Sequence, residues 1–356
     1  MSNDALIQSL RGQALACRSL ASPFCAAFLT LAADDVAAGG PTASLFTPWA
    51  GLDAAAHIRE ATALRFLGGF HEMVLDGSAP DLALAYPQAG RPGDADAAWA
   101  LARAMIGPRF ERLADFMSHE PQTNEIGRSA ALMIGFLHLA EIHDLPLRVV
   151  ELGASGGLNQ IFDRLGYRFG DAAFGDPASP VQLTPEWRGE GGPPASNPVV
   201  AERLACDRRP LDLCDPAVRL RLMAYVWPDQ TERLSRLRAG IDLALAAGVR
   251  VAAMDAAEFA EAEGAPRAGR LTVIDHSVFW QYMPAETQAR ARAAIEAHGA
   301  AATAEAPFAW LCMEPAPLTG PIVMEVRLTT WPGGESRVLA RSHPHGTWIE
   351  YLGGGG

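Results

Sequence analysis

Lysine is missing altogether from the 356 residues, so each of the 29 basic side chains is an arginine. Set against 41 acidic residues, they leave a formal charge of −12. A net acidic field with no basic stripe repels a phosphate backbone, which excludes nucleic acid as the first expectation for a partner. With abundant Ala, Gly and Pro, the absent lysine reads as a mark of genomic composition rather than of chemistry. Cysteine is sparse and badly spaced for pairing: Cys17, Cys25, Cys206, Cys214 and Cys312 are odd in number and contain no C-x-x-C. Neither a disulfide framework nor a zinc site is expected from them. No apolar run approaches the ~18 residues that a membrane span needs. The first residues carry Arg11 and Arg18 where a secretion signal is apolar. The expectation is a soluble, cytoplasmic protein that acts on a small-molecule or peptide substrate.

What is present divides near residue 145. In residues 1–145, Leu6, Leu10, Leu15, Leu20, Phe24, Phe28 and Leu31 recur near helical spacing, and further helices are predicted over 53–75, 94–117 and 123–143. Gly77, Pro80, Pro87, Gly90, Pro92, Gly93 and Pro121 punctuate them, and Thr123 is the expected N-cap of the last. This predicts an all-helical N-terminal domain. From Pro146 the pattern becomes strand and helix in alternation. LRVVEL at 147–152 reads as a buried strand and 158–165 as a helix. A Gly/Pro-rich insertion follows at about 170–198, then helices over 215–226 and 229–247, with Asp229 as a cap. Strands are predicted at 249–254, 270–274 and 308–313, with a helix over 284–298 before the last. Pro332-Gly333-Gly334 between two extended runs predicts a hairpin. The fold class expected for 146–356 is therefore α/β, a mostly parallel Rossmann-like sheet finished by an antiparallel hairpin.

Chemistry concentrates in Glu151-Leu152-Gly153-Ala154-Ser155-Gly156-Gly157-Leu158-Asn159, which leaves a strand and opens a helix. Backbone N–H groups and small residues at such a place admit a nucleotide-like ligand. E-x-G-x-x-x-G resembles motif I of class I S-adenosylmethionine-dependent methyltransferases, which implies S-adenosylmethionine as cofactor, held by Glu151, Gly153, Ser155, Gly157 and Asn159. Asp255 would meet the adenine, unless it only caps the following helix. Asp171, or after the insertion Asp212, would meet the ribose. Asp275-His276-Ser277-Val278-Phe279-Trp280 follows a predicted strand and suits the wall of the pocket, with Asp275 among the cofactor residues and His276 the candidate general base. Gln122, Asn124, Glu125 and Arg128 form a polar cluster suited to a substrate, or a solvated helix start. His343-Pro344-His345 places two histidines on one face of a strand without a third ligand, so no metal is expected.

Two other readings stay open. Gly153 to Gly157 also spell G-x-S-x-G, the nucleophile elbow of serine hydrolases, with Ser155 attacking, Asp275 orienting and His343 or His345 as base. Alternatively the chain is a non-catalytic, methyltransferase-like protein whose helical half binds a protein partner. QTNE with Arg128, ELGASGGLN with Asp163-Arg164, VWPDQ at 226–230 and HPHGTW together resemble one prokaryotic family, domain of unknown function 2332. That resemblance implies a methyltransferase-like Rossmann assignment without an established reaction.

Overall fold

The computed structural model describes residues 3–316 and 323–353. The chain opens with α1 (Asp4–Ser19), α2 (Pro23–Ala37), α3 (Thr42–Leu45), α4 (Ala54–Arg59), α5 (Thr62–Leu75), α6 (Pro80–Ala85), α7 (Ala95–Met105) and α8 (Phe110–Ser118). After α9 (Ser129–Ile142) come β1 (Leu147–Leu152), β2 (Gly166–Phe169), β3 (Ala172–Gly175), β4 (Gln182–Leu183), β5 (Glu186–Arg188) and β6 (Val200–Asp207). Next are α10 (Pro216–Ala224), α11 (Thr231–Ala246), β7 (Ala252–Ala253), α12 (Ala256–Glu263), β8 (Leu271–Ser277), α13 (Ala285–Ala300) and β9 (Phe308–Pro315). The chain ends in β10 (Met324–Trp331), β11 (Glu335–Ser342) and β12 (Trp348–Tyr351).

It divides into two compact units, Met1–Thr123 with Cys214–Arg238, and Asn124–Leu213 with Ala239–Gly356. The border expected near 145 is therefore displaced, and α9 falls in the sheet unit. The reason is its burial. From Ser129 to Leu139 every residue of α9 is buried, so it has no polar face to give to solvent, and Gly135 lies so close to Leu311 of β9 that an added Cβ would sit 2.3 Å from that side chain. Its start also differs from the expected one: residues 120–125 are irregular, and Glu125, not Thr123, caps the short turn before α9 by accepting from the N–H of Gly127.

The first unit is built from helices among its described residues. Asp53 and Asp94 cap α4 and α7, each accepting from an N–H of the first turn. The apolar faces meet in an aromatic core, where Phe28 lies 5.8 Å from Phe70 and 5.3 Å from Trp99, and Phe66 lies 5.2 Å from Phe70. Asp229 corrects its expected role. Its carboxylate accepts from Ser22 Oγ at 2.5 Å and from the N–H of Phe24 at 3.0 Å, so it caps α2, not its own helix.

In the second unit nine strands form one sheet among the described residues, in the order β5-β12-β11-β10-β9-β8-β1-β6-β7. From β9 through β7 all neighbours are parallel; β9-β10, β10-β11 and β11-β12 are antiparallel. β1 keeps the six residues read from the sequence, whereas β6 was not foreseen. Within the insertion, β3 and β4 pair with β2 in a separate three-stranded sheet, and β5 joins the edge of the large one. Strand alternation gives the large sheet two faces. Val150, Leu152, Ile274 and Phe308 pack with Phe259 of α12 and Ile295 of α13 on one. Glu151 and Leu311 face the other, where α9 lies and where Phe136 stacks on Phe162 with ring centroids 3.8 Å apart. Arg148, fully buried, pins the first face by pairing with Glu202 of β6 at 3.0 Å and Glu263 of α12 at 2.8 Å.

Removing the cap that Asp229 gives to α2 is expected to cost about 1–2 kcal/mol. Chemical denaturation of Asp229→Ala against the wild type checks this; an unchanged midpoint would show that the contact is inert.

Candidate functional site

Gly153 and Gly157 both have positive φ, +70° and +76°, which the sharp exit from β1 requires. Neither faces open space. A Cβ on Gly153 would fall 2.1 Å from the ring of Phe279, and one on Gly157 would fall 2.5 Å from Val249. The backbone donors of the turn are also taken. The N–H groups of Gly156 and Leu158 both donate to Asn124 Oδ1, at 3.1 and 2.9 Å, and that of Ser155 donates to Asp207 Oδ2 at 2.9 Å. Asn159 Oδ1 accepts from Ser129 Oγ at 2.8 Å. Groups that a nucleotide-like ligand would use are satisfied by the chain itself. The turn therefore does not fit the amino-acid end of S-adenosylmethionine. Asn124, foreseen as a substrate residue, is instead the acceptor that fills the turn, and Asp207 was not foreseen because β6 was not.

The remaining cofactor candidates do not gather there. Asp255 caps α12, accepting from the N–H of Ala257 at 2.9 Å. Asp171 is exposed at the β2–β3 hairpin of the small sheet, and Asp212 is exposed beside Leu213, which packs on Gly156. Glu151 and Asp275 do come together, as direct partners in the β1–β8 register, both 2% exposed. Gln160 donates to Glu151 Oε2 at 3.0 Å, while Asp275 Oδ1 and Gln160 Oε1 have no partner. Burial, and after it the neighbouring Asp275, pushes the Glu151 carboxyl well above its ordinary range; burial pushes Asp275 up to about 7.

His276 is placed on the opposite face and is locked. An indole N–H can only donate, so Trp310 Nε1 at 3.0 Å makes His276 Nε2 an acceptor, and Nδ1 carries the proton toward Glu314 Oε1 at 2.7 Å. With both nitrogens engaged and 1% exposure, His276 is a positioning residue and not a free base. Burial alone would raise the Glu314 carboxyl, but the hydrogen bond from His276 and those from the N–H groups of Phe279 and Trp280 hold it below its usual value. Val278 pays for that arrangement with φ of +49°, an outlier for a β-branched residue. This hook turns both N–H groups onto Glu314, and the same loop seats Phe279 against Gly153.

The hydrolase constellation is not assembled, since Ser155 Oγ is buried with no hydrogen-bond partner and no base reaches it. Among the described residues no cluster suited to a metal occurs. Arg128 clamps two loops, donating from Nε to the carbonyl of Pro344 and from Nη1 to that of Ser277, each at 3.2 Å. Gly127 and Gly346 pass so closely that a Cβ on Gly346 would sit 2.1 Å from the carbonyl oxygen of Gly127. The polar segment 124–128 and the HPHG segment are thus halves of one structural joint. Gln122 falls in the helical unit, whereas Asn124, Glu125 and Arg128 fall in the sheet unit.

A family model described as "Uncharacterized protein conserved in bacteria (DUF2332)" matches residues 8–351. The chain belongs to that family. Neither a curated protein nor a solved structure matches it.

An open cavity of about 710 Å³ lies on the face of the sheet that carries α13. Its floor is read from alternate residues: Trp310, Cys312 and Glu314 of β9, then their register partners Thr329 and Arg327 with Trp331 of β10. Its wall is one stripe of α13, Gln288, Arg292 and Glu296, at i, i+4 and i+8. His276 and Trp280 close one end. Of these, only His276 and Trp280 were read from the sequence as residues of a pocket. Both raised carboxyl groups on the other face make stability fall as pH rises. Asp275 keeps its proton in the folded state up to about 7 and loses it near 3.8 when unfolded, so its contribution is complete below about 4 and lost through neutrality. Asp275→Asn is therefore expected to be more thermostable than the wild type at pH 8, with the difference shrinking toward pH 4; a pH-independent difference would refute the buried acid pair.

Proposed function

We propose that the chain is a methyltransferase-like Rossmann protein with a helical N-terminal domain, which works on a small molecule in the cavity under α13 and not on S-adenosylmethionine at its glycine turn. The strand order β7-β6-β1-β8-β9 supports the Rossmann part of this reading, because it is the 3-2-1-4-5 order of a doubly wound half. The helices of the first unit support a helical domain before it.

The observation that carries the functional part is the sealing of the turn from within, by Phe279 against Gly153 and by Asn124 and Asp207 on its amides. A cofactor would have to displace an aromatic ring and outbid three internal hydrogen bonds. The cavity asks for no such rearrangement, and its volume lies within the ~300–1,000 Å³ of small-molecule sites. Isothermal calorimetry with S-adenosylmethionine is expected to show no saturable heat up to millimolar cofactor. Saturable binding that disappears in Gly153→Arg would restore the methyltransferase reading.

A further inference from the structure

We propose that the cavity under α13 is a binding site for a planar ring that carries a carboxylate or phosphate group, with Trp310 and Trp280 receiving the ring and Arg292 receiving the anion. The proposal rests on the reading that this cavity is the working site and names the ligand class. Trp280 and Trp310 lie 5.5 Å apart at 45°, and both are half-buried, so neither spends its whole face on the core. Arg292 lies over both, with its guanidinium carbon 5.4 Å from the Trp280 ring centroid and 5.1 Å from that of Trp310. The indoles hold the guanidinium by cation–π attraction, which leaves its N–H edge for an anion.

Arg292 is set apart from the other charges around the cavity. Arg327 is paired with Glu325 at 3.0 Å, and the Glu314 carboxylate accepts, on Oε1 alone, from His276 Nδ1 and from two backbone N–H groups, while its Oε2 has no partner. Glu296 follows Arg292 by one helical turn, yet no ion pair forms between them. Among the described residues Arg292 is thus a cation at the cavity with aromatic but no carboxylate partners. A carboxylate or phosphate suits the planar fork of arginine bidentately. The pair His276–Glu314 has a part here also: it fixes the ring of Trp310 through the indole N–H and the backbone of Trp280 through its amide, so the two indoles are preorganised.

Calorimetry on the full chain with two matched pairs tests this: adenosine 5′-monophosphate against adenosine, and 4-hydroxybenzoate against 4-hydroxybenzamide. In each pair the anionic member is expected to bind saturably and at least roughly tenfold more tightly than the neutral one. Arg292 is exposed on its helix, so Arg292→Gln is expected to melt like the wild type while erasing the preference within each pair. Trp310→Leu is expected to weaken every probe. Equal binding within both wild-type pairs, lost in Trp310→Leu, would overturn the anion assignment and leave the cavity as the working site. No binding by any probe at millimolar concentration would overturn the ligand class and the choice of cavity together.

Discussion

Two backbone N–H groups at the exit of β1 have no partner in any strand or helix, and the rest of the sheet unit is arranged around how they are satisfied. Asn124 Oδ1 accepts from both, Gly156 and Leu158. Buried amides without an acceptor cost of the order of 1–3 kcal/mol each, so the segment ahead of α9 must return to the turn. That return fixes Glu125 as the cap of the next turn, places Arg128 to clamp the Pro344 and Ser277 carbonyls, and aligns α9 on the sheet. Segment 124–128 thereby ties the glycine turn, through Asn124, to the Pro344 loop, through Arg128.

Strand alternation separates the two faces of the sheet. On the α9 face, polar groups are enclosed: Glu151 and Asp275 share a register position and resist ionisation. On the α13 face, the antiparallel strands β9 and β10 continue past the apolar core and present tryptophan, threonine, arginine and glutamate to a cavity. The loop 277–280 belongs to both. Its strained residue Val278 lets Phe279 close the glycine turn while the next residue, Trp280, opens as the wall of the cavity.

Local features of the fold were legible wherever a single segment carries its own reason. The apolar run 147–152 announced β1, and Pro332-Gly333-Gly334 announced the β10–β11 hairpin. β6 was illegible because Glu202 and Arg203 interrupt its apolar pattern; their partners, Arg148 and Asp163, are distant in sequence. β7 shrank to Ala252–Ala253 at the exposed edge, where an apolar run has no second neighbour to pair with. The glycine turn was found from its residue types, but what fills it comes from 124, 207 and 279, and no local pattern reveals that. His276 was likewise a sound candidate in isolation, and only Trp310 and Glu314, on a strand more than thirty residues away, show that both its nitrogens are spent. A signal for the cavity was present in the alternation of Trp310, Cys312 and Glu314, which puts three non-aliphatic side chains on one face of a strand otherwise suited to burial.

Amide hydrogen exchange at Ser155, Gly156 and Leu158, resolved by residue, tests the internal closure of the turn most directly. These three amides are expected to be protected to the level of β1 in the wild type, with Gly156 and Leu158 losing at least roughly tenfold of that protection in Asn124→Ala while the β1 amides keep theirs. Exchange at rates typical of an open loop in the wild type, indifferent to the substitution, would contradict it.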